Sequence, residues 1–457
     1  MKDTNLSKDV IILGAGPVGS LLAILLARQG FSVSVFEKRA NPLICEAEGG
    51  RSINMALSHR GLKALKMAGM DELILKHTIP MEGRMLHEPN RQEILQPYGL
   101  EGQYIYSISR SGLNTLLVEE AVRQYGVNFY FNMQCKSINS DTNQIVFTET
   151  TSGKELQEPF DLVIGADGAG SVVRSKIQEL TNGELDINML SHSYKELHIP
   201  AGREHIHLMY KNALHIWPRK KFMLIALPNM DGSFTATLFL SRSESPSFGE
   251  LNSEEKIRAF FNEHFPDAGK LMPDLEDQFF SNHTSELGTI RCFPWIYKDK
   301  LALIGDAAHP IVPFYGQGMN AGFEDCRILA ELIIEHSDKD WAIILSHYQA
   351  DRKKNADAIA QLALRNFNEM QTDVADERFL LRKKIEATLH QRLPSYLPLY
   401  SMVTFSDLSY SEAMERGHRQ ELFMDEVMQH EGIGLIWNKE EFLNELELRL
   451  KAQGLIG

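Results

Sequence analysis

The feature that most constrains the fold is a glycine pattern near the start of the chain, in which Gly14, Gly16 and Gly19 are spaced as G-x-G-x-x-G. An apolar run, residues 9–13, precedes it, and apolar residues at helical spacing follow it as far as Gly30. A continuous apolar run favours a buried parallel strand, and a glycine after a periodic segment ends a helix. The pattern therefore predicts a strand, a tight turn and a helix, which is how a dinucleotide-binding fold begins.

The second predicted strand, residues 31–36, ends in an acid that suits a nucleotide ribose. Glu37 follows the last glycine by roughly 20 residues, the distance at which such folds place an acid on the ribose hydroxyls. A carboxylate repels a 2′-phosphate, so this position favours FAD or NAD over NADP as the tightly bound nucleotide. The neighbouring cations Lys38 and Arg39 are further candidate contacts. The alternative is a structural loop with a surface glutamate.

A later segment distinguishes between these nucleotides. Residues 301–304 are another strand candidate, followed by Gly305 and Asp306 and then by Gly316 and Gly318. The acid can bind the hydroxyls of a polyol chain, and the glycines let backbone N–H groups at a helix start approach an electron-rich ring. Reduced flavin carries negative charge, which a helix N-terminus stabilises. The two segments together favour FAD, although a helix cap is the alternative role for Asp306.

Two other polar positions are more ambiguous. Asp167 and Gly168 follow a third strand candidate, residues 162–165. They form either a cofactor contact or a simple strand-to-helix turn that leads to a surface arginine, Arg174. His309 has the chemistry of a general base, but a lone histidine beside a proline is more often structural, so we assign it no catalytic role.

The rest of the chain divides by its periodicity. Between about residues 180 and 290 it is β-rich, with strand candidates at 194–199, 205–210, 214–217, 222–227 and 234–240 and a turn at 229–232. After Gly318 it becomes helical, with helices predicted at 319–335, 341–369, 376–390 and 440–453. Asn438 is the expected cap of the last helix, with Glu441 completing a capping box.

These patterns predict an α/β protein with a Rossmann-like FAD-binding domain, an inserted antiparallel β-sheet substrate domain and a C-terminal helical region. The FAD-binding domain is expected to comprise residues 1–180 and 290–335. The substrate domain is expected at 181–289, with parts of 80–110 contributing, and the helical region that covers the site at 336–457.

Charge and cysteine usage narrow the class of function. The 457 residues include 47 basic and 61 acidic side chains, a net charge of −14, which argues against a nucleic-acid partner. The longest apolar run, residues 21–27, is too short to span a membrane, and the sequence predicts no signal peptide. The four cysteines show neither zinc-type nor CxxC spacing. We therefore expect a cytoplasmic monomer or homodimer with free thiols and no metal.

The segments at residues 14–19, 167–168 and 305–306 resemble those of the single-component FAD-dependent aromatic hydroxylases, the 4-hydroxybenzoate hydroxylase-like flavoproteins. Longer strings are similar to the kynurenine 3-monooxygenase family within that group. These strings lie at residues 50–54, 56–61, 214–219, 225–229, 313–326 and 398–406. The resemblance extends from about residue 9 to about residue 420.

The resemblance implies a substrate site. The family holds kynurenine with an arginine, two tyrosines and an asparagine, which match Arg84, Tyr98, Tyr400 and Asn366. Arg84 can form a bidentate pair with the amino-acid carboxylate, whereas without the family context it would be interpreted as a surface ion pair. Apolar residues would surround the aromatic ring: Leu214, Met223, Ile225, Leu227, Phe239, Pro313 and Phe314. A role in the core alone is the alternative for most of them.

The resemblance also implies the cofactor contacts and the reaction. FAD would contact Gly14, Gly16, Val18, Gly19, Glu37, Lys38, Arg39, Ala56, Arg110, Cys135, Asp167, Asp306, Gly318, Met319 and Asn320. NADPH, bound transiently, would reduce the flavin, O2 would form a C4a-hydroperoxide, and L-kynurenine would become 3-hydroxykynurenine in tryptophan catabolism. No side-chain nucleophile or base is required. The alternatives are an FAD hydroxylase of another aromatic acid and a non-catalytic flavin-binding sensor.

The chain departs from the family pattern at two places. Relatives from animals and fungi carry a hydrophobic C-terminal membrane anchor, whereas this sequence ends in a charged amphipathic segment, so we expect a bacterial-type enzyme without membrane attachment. Asn368 replaces the usual apolar residue between Phe367 and Glu369, which leaves the packing of the local helix open.

Overall fold

The computed structural model describes residues 6–44, 54–89, 92–372 and 377–456. Cys45, residues 50–53 of the family-like string and residue 376 at an expected helix start lie outside these ranges, as does the side chain of Asn368.

Strands dominate the first two thirds of the chain. In chain order they are β1 (Asp9–Leu13), β2 (Ser32–Phe36), β3 (Asn54–Leu57), β4 (Ile79–Met81), β5 (Gly83–Leu86), β6 (Ile94–Pro97), β7 (Ile105–Ser109), β8 (Asn128–Tyr130), β9 (Met133–Asn139), β10 (Gln144–Glu149), β11 (Glu155–Pro159), β12 (Leu162–Gly165), β13 (Glu184–Ile199), β14 (Ala213–Arg219), β15 (Phe222–Pro228), β16 (Phe234–Ser241), β17 (Thr284–Phe293), β18 (Ile296–Tyr297) and β19 (Leu301–Leu303).

Helices separate the strands and form the last third of the chain. They are α1 (Pro17–Arg28), α2 (His59–Ala68), α3 (Asp71–Leu75), α4 (Arg110–Tyr125), α5 (Val172–Thr181), α6 (Glu254–His264), α7 (Pro266–Lys270), α8 (Leu275–Ser281), α9 (Gly318–Glu335), α10 (Trp341–Thr372), α11 (Glu377–Arg392), α12 (Leu399–Phe405), α13 (Tyr410–Met428), α14 (Ile433–Ile436) and α15 (Glu440–Ala452).

The first sheet has the strand order β18-β19-β12-β1-β2-β8, and its strands pair in parallel except for β18 with β19. This confirms the predicted nucleotide-binding strands. Parallel strands end at the same edge of a sheet. The glycine turn after β1, Glu37 after β2, Asp167 after β12 and Asp306 after β19 therefore share one edge.

Helix α1 packs into the core beside this sheet. Its residues from Gly19 to Leu26 are buried in succession, so the helix is covered on all sides and not only along one stripe. Such a helix gains its stability from apolar burial against several neighbours. It fixes the position of the glycine turn at its N-terminus.

The second sheet has the order β17-β13-β16-β15-β14-β5-β6 and confirms the predicted antiparallel sheet. One pairing, β14 with β5, is parallel and brings residues of the 80–110 region into the sheet.

Helices α6, α7 and α8 were not predicted from the sequence. Their buried residues pack with those of β13 to β16 in one apolar cluster that includes Phe261 and Trp217.

Two sequence-based predictions of local structure are wrong. Residues 205–210 form a loop and not a strand, since Glu204 and His205 have φ values of 56° and 59° that break an extended chain. The loop rests on the turn at 229–232, where a Cβ on Gly232 would lie 2.1 Å from the carbonyl oxygen of His205. Helix α15 is not capped by Asn438, because it begins one residue later than a cap there requires, with Lys439 at the N-cap.

The C-terminal helices form two apolar clusters. One joins α11, α13 and α15, and the other packs α10, α12 and α13 against the second sheet and residues 311–315. Helices α12 and α13 were not predicted from the sequence. Among the described residues, none of the helices is long and apolar enough to cross a membrane.

Candidate cofactor and substrate site

The turn after β1 contains two glycines that admit no side chain. A Cβ on Gly14, whose φ is 103°, would lie 2.4 Å from the carbonyl oxygen of Ala166, and one on Gly19 would lie 2.0 Å from that of Gly14. At Gly16 a Cβ would meet nothing within 4 Å in the described structure. The first and third glycines close the turn, and the second leaves its backbone open to a pyrophosphate.

Glu37 is buried beside this turn. Its Oε2 accepts a hydrogen bond from the backbone N–H of Ala15 at 2.9 Å, and its Oε1 accepts from the backbone N–H and Nε of Arg39 at 3.0 Å. Burial alone would raise the pKa of Glu37, but the hydrogen bonds and charge of Arg39 outweigh it and lower the pKa. The carboxylate is therefore ionised at the position expected for a ribose acceptor, while Lys38 and Arg39 are exposed.

The late segment packs directly on the early turn through Val18. A Cβ on Gly305 would lie 3.0 Å from Val18 Cγ1, and one on Gly322 would lie 2.7 Å from Val18 Cγ2. The thiol of Cys326 donates to the carbonyl oxygen of Val18 at 3.4 Å. The two segments that were predicted to share one cofactor are therefore in contact.

Helices α1 and α9 begin at this contact, and neither has a side-chain cap among the described residues. Serine side chains, in contrast, cap α4, α5, α6 and α13. Uncapped first-turn N–H groups and the positive end of the helix dipole favour an anionic group. This arrangement suits a phosphate at Gly16 and the negatively charged edge of reduced flavin at Gly318 and Met319.

Asp306 is accessible to solvent although protein surrounds it. Burial raises the pKa of its carboxyl group, and the charges of His309 and Arg110 oppose that rise. No side chain or backbone group of the described residues donates a hydrogen bond to this carboxylate. An accessible, surrounded carboxylate without a donor fits the hydroxyls of a flavin polyol chain. Arg110 is exposed at the first position of α4.

Asn320 has a buried side chain that is fully used by backbone groups. Its Nδ2 donates to the carbonyl oxygens of Ala56 and Gly316 at 2.8 and 2.9 Å, and its Oδ1 accepts from the N–H of Ser58 at 2.9 Å. The side chain therefore positions β3 against the start of α9. If Asn320 or Ala56 contacts a cofactor, it does so through atoms other than the Asn320 side-chain amide and the Ala56 carbonyl oxygen.

The Asp167 segment forms a strand-to-helix turn. Asp167 Oδ2 accepts from the N–H of Val172 at 2.7 Å, while its buried Oδ1 has no partner in the described part of the chain. Burial raises the pKa of Asp167 and also that of the neighbouring Cys135 thiol, which reaches about 12. The half-buried Cys135 thiol is therefore neutral, and its contact with FAD remains a prediction.

The alternative in which this turn leads to a surface arginine is excluded. Arg174 is buried, and it donates to the carbonyl oxygen of Ala307 at 2.8 Å and to that of Ala169. Backbone carbonyls of two turns therefore satisfy the guanidinium, because α5 packs beside β19. The arginine joins the turn after β12 to the turn that carries Asp306.

Arg84, on β5, lies among aromatic rings. Its guanidinium carbon is 4.8 Å from the ring centroid of Tyr400 and 5.6 Å from that of Tyr98, and the two rings stack 5.5 Å apart. No carboxylate of the described residues lies within ion-pair distance of Arg84. A half-buried guanidinium without a counter-ion is unfavourable. The surface ion pair is therefore not formed, and the arginine is available to an anionic ligand.

The hydroxyl of Tyr98 is also without a partner. Its Oη is buried and makes no hydrogen bond within the described ranges. Burial raises the pKa of Tyr98 well above its ordinary value and raises that of Tyr400, so both phenols are neutral at physiological pH. Neutral hydroxyls beside Arg84 can donate hydrogen bonds to a bound carboxylate.

The predicted apolar wall lies in two clusters that meet at Ile225 and Tyr400. One cluster contains Tyr98, Leu214 and Leu227, and the other contains Met223, Phe239 and Phe314. Phe239 contacts Phe314 with 5.1 Å between ring centroids.

The last two predicted substrate residues have different surroundings. Asn366, on α10, donates from Nδ2 to the carbonyl oxygen of Phe314 at 2.6 Å. It therefore anchors residues 313–315 to the helical region. Pro313 is exposed and is not part of either cluster.

Sequence reasoning missed two residues of the site. Tyr315 is buried and stacks on Tyr400 with 5.6 Å between centroids, so the phenol rings of Tyr98, Tyr400 and Tyr315 form a row beside Arg84. Its place in an aromatic run just before Gly316 was the available signal. Glu196, on β13, is half-buried and close enough to Arg110, a predicted cofactor contact, for that charge to lower its pKa, and its sequence context carried no signal.

A family model described as an FAD binding domain matches residues 7–363. Kynurenine 3-monooxygenase of Cytophaga hutchinsonii is 48% identical over 445 residues, which are 96% of this chain and 98% of that protein. The enzyme of the same name from Dictyostelium discoideum is 43% identical over 439 residues, 93% of this chain and 94% of that protein.

Solved structures show the same fold at low identity. The tetrameric form of 2-methyl-3-hydroxypyridine-5-carboxylic acid oxygenase aligns with a TM-score of 0.65 and 20% identity, covering 84% of this chain and 98% of that one. PqsL of P. aeruginosa in complex with 2-aminobenzoylacetate aligns with a TM-score of 0.64 and 19% identity, covering 80% and 97%. The chain therefore shares its fold with these two proteins.

Proposed function

The chain belongs to the FAD-binding family that includes the kynurenine 3-monooxygenases, and from that membership we propose that it hydroxylates L-kynurenine to 3-hydroxykynurenine with NADPH and O2. The observation that carries the choice of substrate is Arg84, a half-buried cation that lacks a carboxylate partner among the described residues and lies over two tyrosine rings. A carboxylate-bearing aromatic compound supplies the missing charge and an arene that suits the apolar wall.

The substrate carboxylate binds Arg84 in this proposal, and the hydroxyls of Tyr98 and Tyr400 donate hydrogen bonds to it. The aromatic ring then extends toward Ile225, Phe239 and Phe314. A charge-assisted contact to an arginine contributes about 1.5–3 kcal/mol. The apolar wall excludes water from the reacting ring and orients it by packing.

Bound FAD supplies the redox chemistry, accepting hydride from NADPH and activating O2 for transfer to the ring. The protein's part is to hold the cofactor at the shared edge of the first sheet. Glu37 accepts from ribose hydroxyls, Asp306 accepts from the polyol chain, and the uncapped start of α9 stabilises negative charge on the reduced ring. No side chain needs to act as nucleophile or base.

We also propose the division of labour along the chain. Residues 1–180 and 290–335 bind FAD, residues 181–289 with parts of 80–110 form the wall for the substrate, and residues 336–457 cover the site. The pairing of β5 with β14, the contact of Val18 with Gly305, and the presence of Tyr400 on α12 support this division.

The proposal is tested by mass spectrometry of the products. Purified protein with FAD, NADPH and O2 should add one oxygen atom to L-kynurenine and oxidise NADPH faster when kynurenine is present. A matched reaction with a kynurenine analogue that lacks the carboxylate should proceed poorly. Bound FAD with neither product nor faster NADPH oxidation would overturn the assigned activity.

A further inference from the structure

A buried ionic network connects the C-terminal helices to the helix that begins at the flavin segment. Arg352, on α10, donates from Nη1 to Glu324 Oε2 at 2.8 Å and from Nε to Asp325 Oδ1 at 2.7 Å. Asp325 Oδ2 accepts from the backbone N–H of Gly305 at 3.0 Å and lies 2.6 Å from His309 Nε2. Through Asp325, the network therefore holds the backbone of the Gly305–Asp306 turn in place.

Arg60, on α2, is the second cation of this network. It donates from Nη1 to Glu324 Oε1 at 2.7 Å, and from Nε to the carbonyl oxygen of Val403 at 3.0 Å. Another nitrogen donates to the carbonyl oxygen of Leu408. Arg60 therefore holds the end of α12, the helix that carries Tyr400.

Tyr410 connects Arg60 to the flavin segment. The guanidinium carbon of Arg60 lies 4.0 Å from the centroid of the Tyr410 ring, and the Tyr410 hydroxyl donates to Gln317 Oε1 at 2.9 Å. Gln317 Nε2 donates in turn to the hydroxyl of Ser58 at 3.4 Å. All four side chains are buried.

Gln317 occupies a sensitive position in the backbone. It follows Gly316, which has a φ of 67°, and it is the N-cap of α9, immediately before the uncapped N–H groups assigned to the flavin ring. Its side chain points away from those groups and is held by Ser58 on one side and Tyr410 on the other. These side-chain bonds restrain the loop together with the hydrogen bond of Asn320 to the carbonyl oxygen of Gly316.

We propose that Tyr410 is a positioning residue for the flavin. Its hydrogen bond to Gln317 makes the position of the loop before α9 depend on how α12 and α13 pack. The substrate residue Tyr400 and the flavin loop then share one buried support, formed by Arg60, Glu324 and Tyr410. Coupling of this kind makes the flavin environment sensitive to the placement of the C-terminal helices. The inference rests on the proposed function in one respect: kynurenine is the substrate with which its effect on turnover is measured.

The test compares Tyr410→Phe, which removes one hydroxyl and keeps the ring over Arg60, with Tyr348→Phe. Tyr348 is buried as well, and its hydroxyl donates to the carbonyl oxygen of Leu303 at 3.2 Å, away from the loop. We expect Tyr410→Phe to shift the visible absorption spectrum of bound FAD and to weaken FAD binding several-fold. It should also lower kcat by about tenfold or more, because misplaced reacting groups lose rate steeply. The fraction of NADPH that yields hydrogen peroxide should rise.

The control Tyr348→Phe should leave the spectrum and the peroxide yield unchanged. Gln317→Leu, which removes the acceptor of the Tyr410 hydroxyl, should reproduce the spectral change of Tyr410→Phe. Wild-type spectrum, FAD affinity and peroxide yield in Tyr410→Phe would overturn the inference while leaving the proposed function intact. A wild-type protein that binds FAD but does not convert kynurenine would instead contradict the proposed function, and the spectral comparison would still decide the role of Tyr410.

Discussion

The guanidinium of Arg84 lies over the ring of Tyr400, with 4.8 Å between the guanidinium carbon and the ring centroid. The two residues come from different parts of the fold, since Arg84 is on β5 of the second sheet and Tyr400 is on α12. A cation on an aromatic face gains about 0.5–2 kcal/mol, depending on exposure. The contact therefore orients the arginine before any ligand binds and ties substrate recognition to the C-terminal helices.

Replacing Arg84 by alanine should raise the KM for kynurenine by about 10- to 150-fold, the equivalent of the 1.5–3 kcal/mol of a charge-assisted hydrogen bond. FAD content should remain that of the wild type, because Arg84 is on the second sheet. Steady-state NADPH oxidation and the flavin absorbance of the purified variant measure the two effects. Arg242→Ala, which removes an exposed pair with Glu286 and a hydrogen bond to the carbonyl oxygen of Leu190, is the control and should change neither. An unchanged KM would remove Arg84 from the substrate site.

Tyr98→Phe tests whether the Tyr98 hydroxyl binds the substrate or stabilises the folded protein. Because the buried Tyr98 hydroxyl has no partner in the described structure, its removal should leave the melting temperature unchanged or slightly higher. The KM for kynurenine should rise by roughly 3- to 10-fold, as for the loss of one hydrogen bond of about 1 kcal/mol. Thermal unfolding and initial rates give both values. A lower melting temperature with an unchanged KM would mean that the hydroxyl has a structural role.

Glycine substitutions distinguish closure of the cofactor turn from contact with the cofactor. Gly19→Ala would place a Cβ 2.0 Å from the carbonyl oxygen of Gly14, so it should destabilise the protein even without FAD. Gly16→Ala would meet no described atom within 4 Å, so the apoprotein should keep its melting temperature. FAD affinity of Gly16→Ala should nevertheless fall by tenfold or more, since the backbone must approach the pyrophosphate. Unfolding of the apoproteins and fluorescence titration with FAD are the measurements, and wild-type affinity in Gly16→Ala would exclude a phosphate at this position.

The sequence predicted local elements well where one periodic pattern governed them. Strands β1, β2, β12 and β19 and helix α1 were predicted because apolar runs, glycines and terminal acids coincide there. The loop at 205–210 was misassigned because Ile206, Leu208 and Tyr210 alternate as in a strand, yet all three are exposed. The backbone angles at Glu204 and His205, which no pattern indicates, break the extended chain.

The site was predictable only in part, for a similar reason. Arg84 and the tyrosines followed from resemblance, but the row formed with Tyr315 depends on how α12 docks against residues 313–315. The buried network of Arg60, Glu324 and Arg352 joins α2 to the consecutive helices α9 and α10, and 264 residues separate Arg60 from Glu324. Long-range ion pairs of this kind have no local signal, so they become visible only in the folded chain.

Glu196 offers a prediction in which pH is the variable. It lies on β13 opposite Thr237 of β16, and Ile225 of β15 pairs with the other side of Thr237. Burial raises the pKa of Glu196 from 4.5 to about 7, against the lowering effect of Arg110. A carboxyl group whose pKa is higher in the folded state stabilises the fold below its unfolded pKa and loses that contribution as pH rises through about 7. Glu196→Gln removes the titration, so its melting temperature should match the wild type near pH 4, below the unfolded pKa, and exceed it at pH 8. Glu286→Gln, at an exposed side chain, is the control for the loss of one carboxylate from the second sheet. Equal melting temperatures of Glu196→Gln and the wild type at both pH values would mean that Glu196 is solvated, and it would then cease to be a carboxylate of the site.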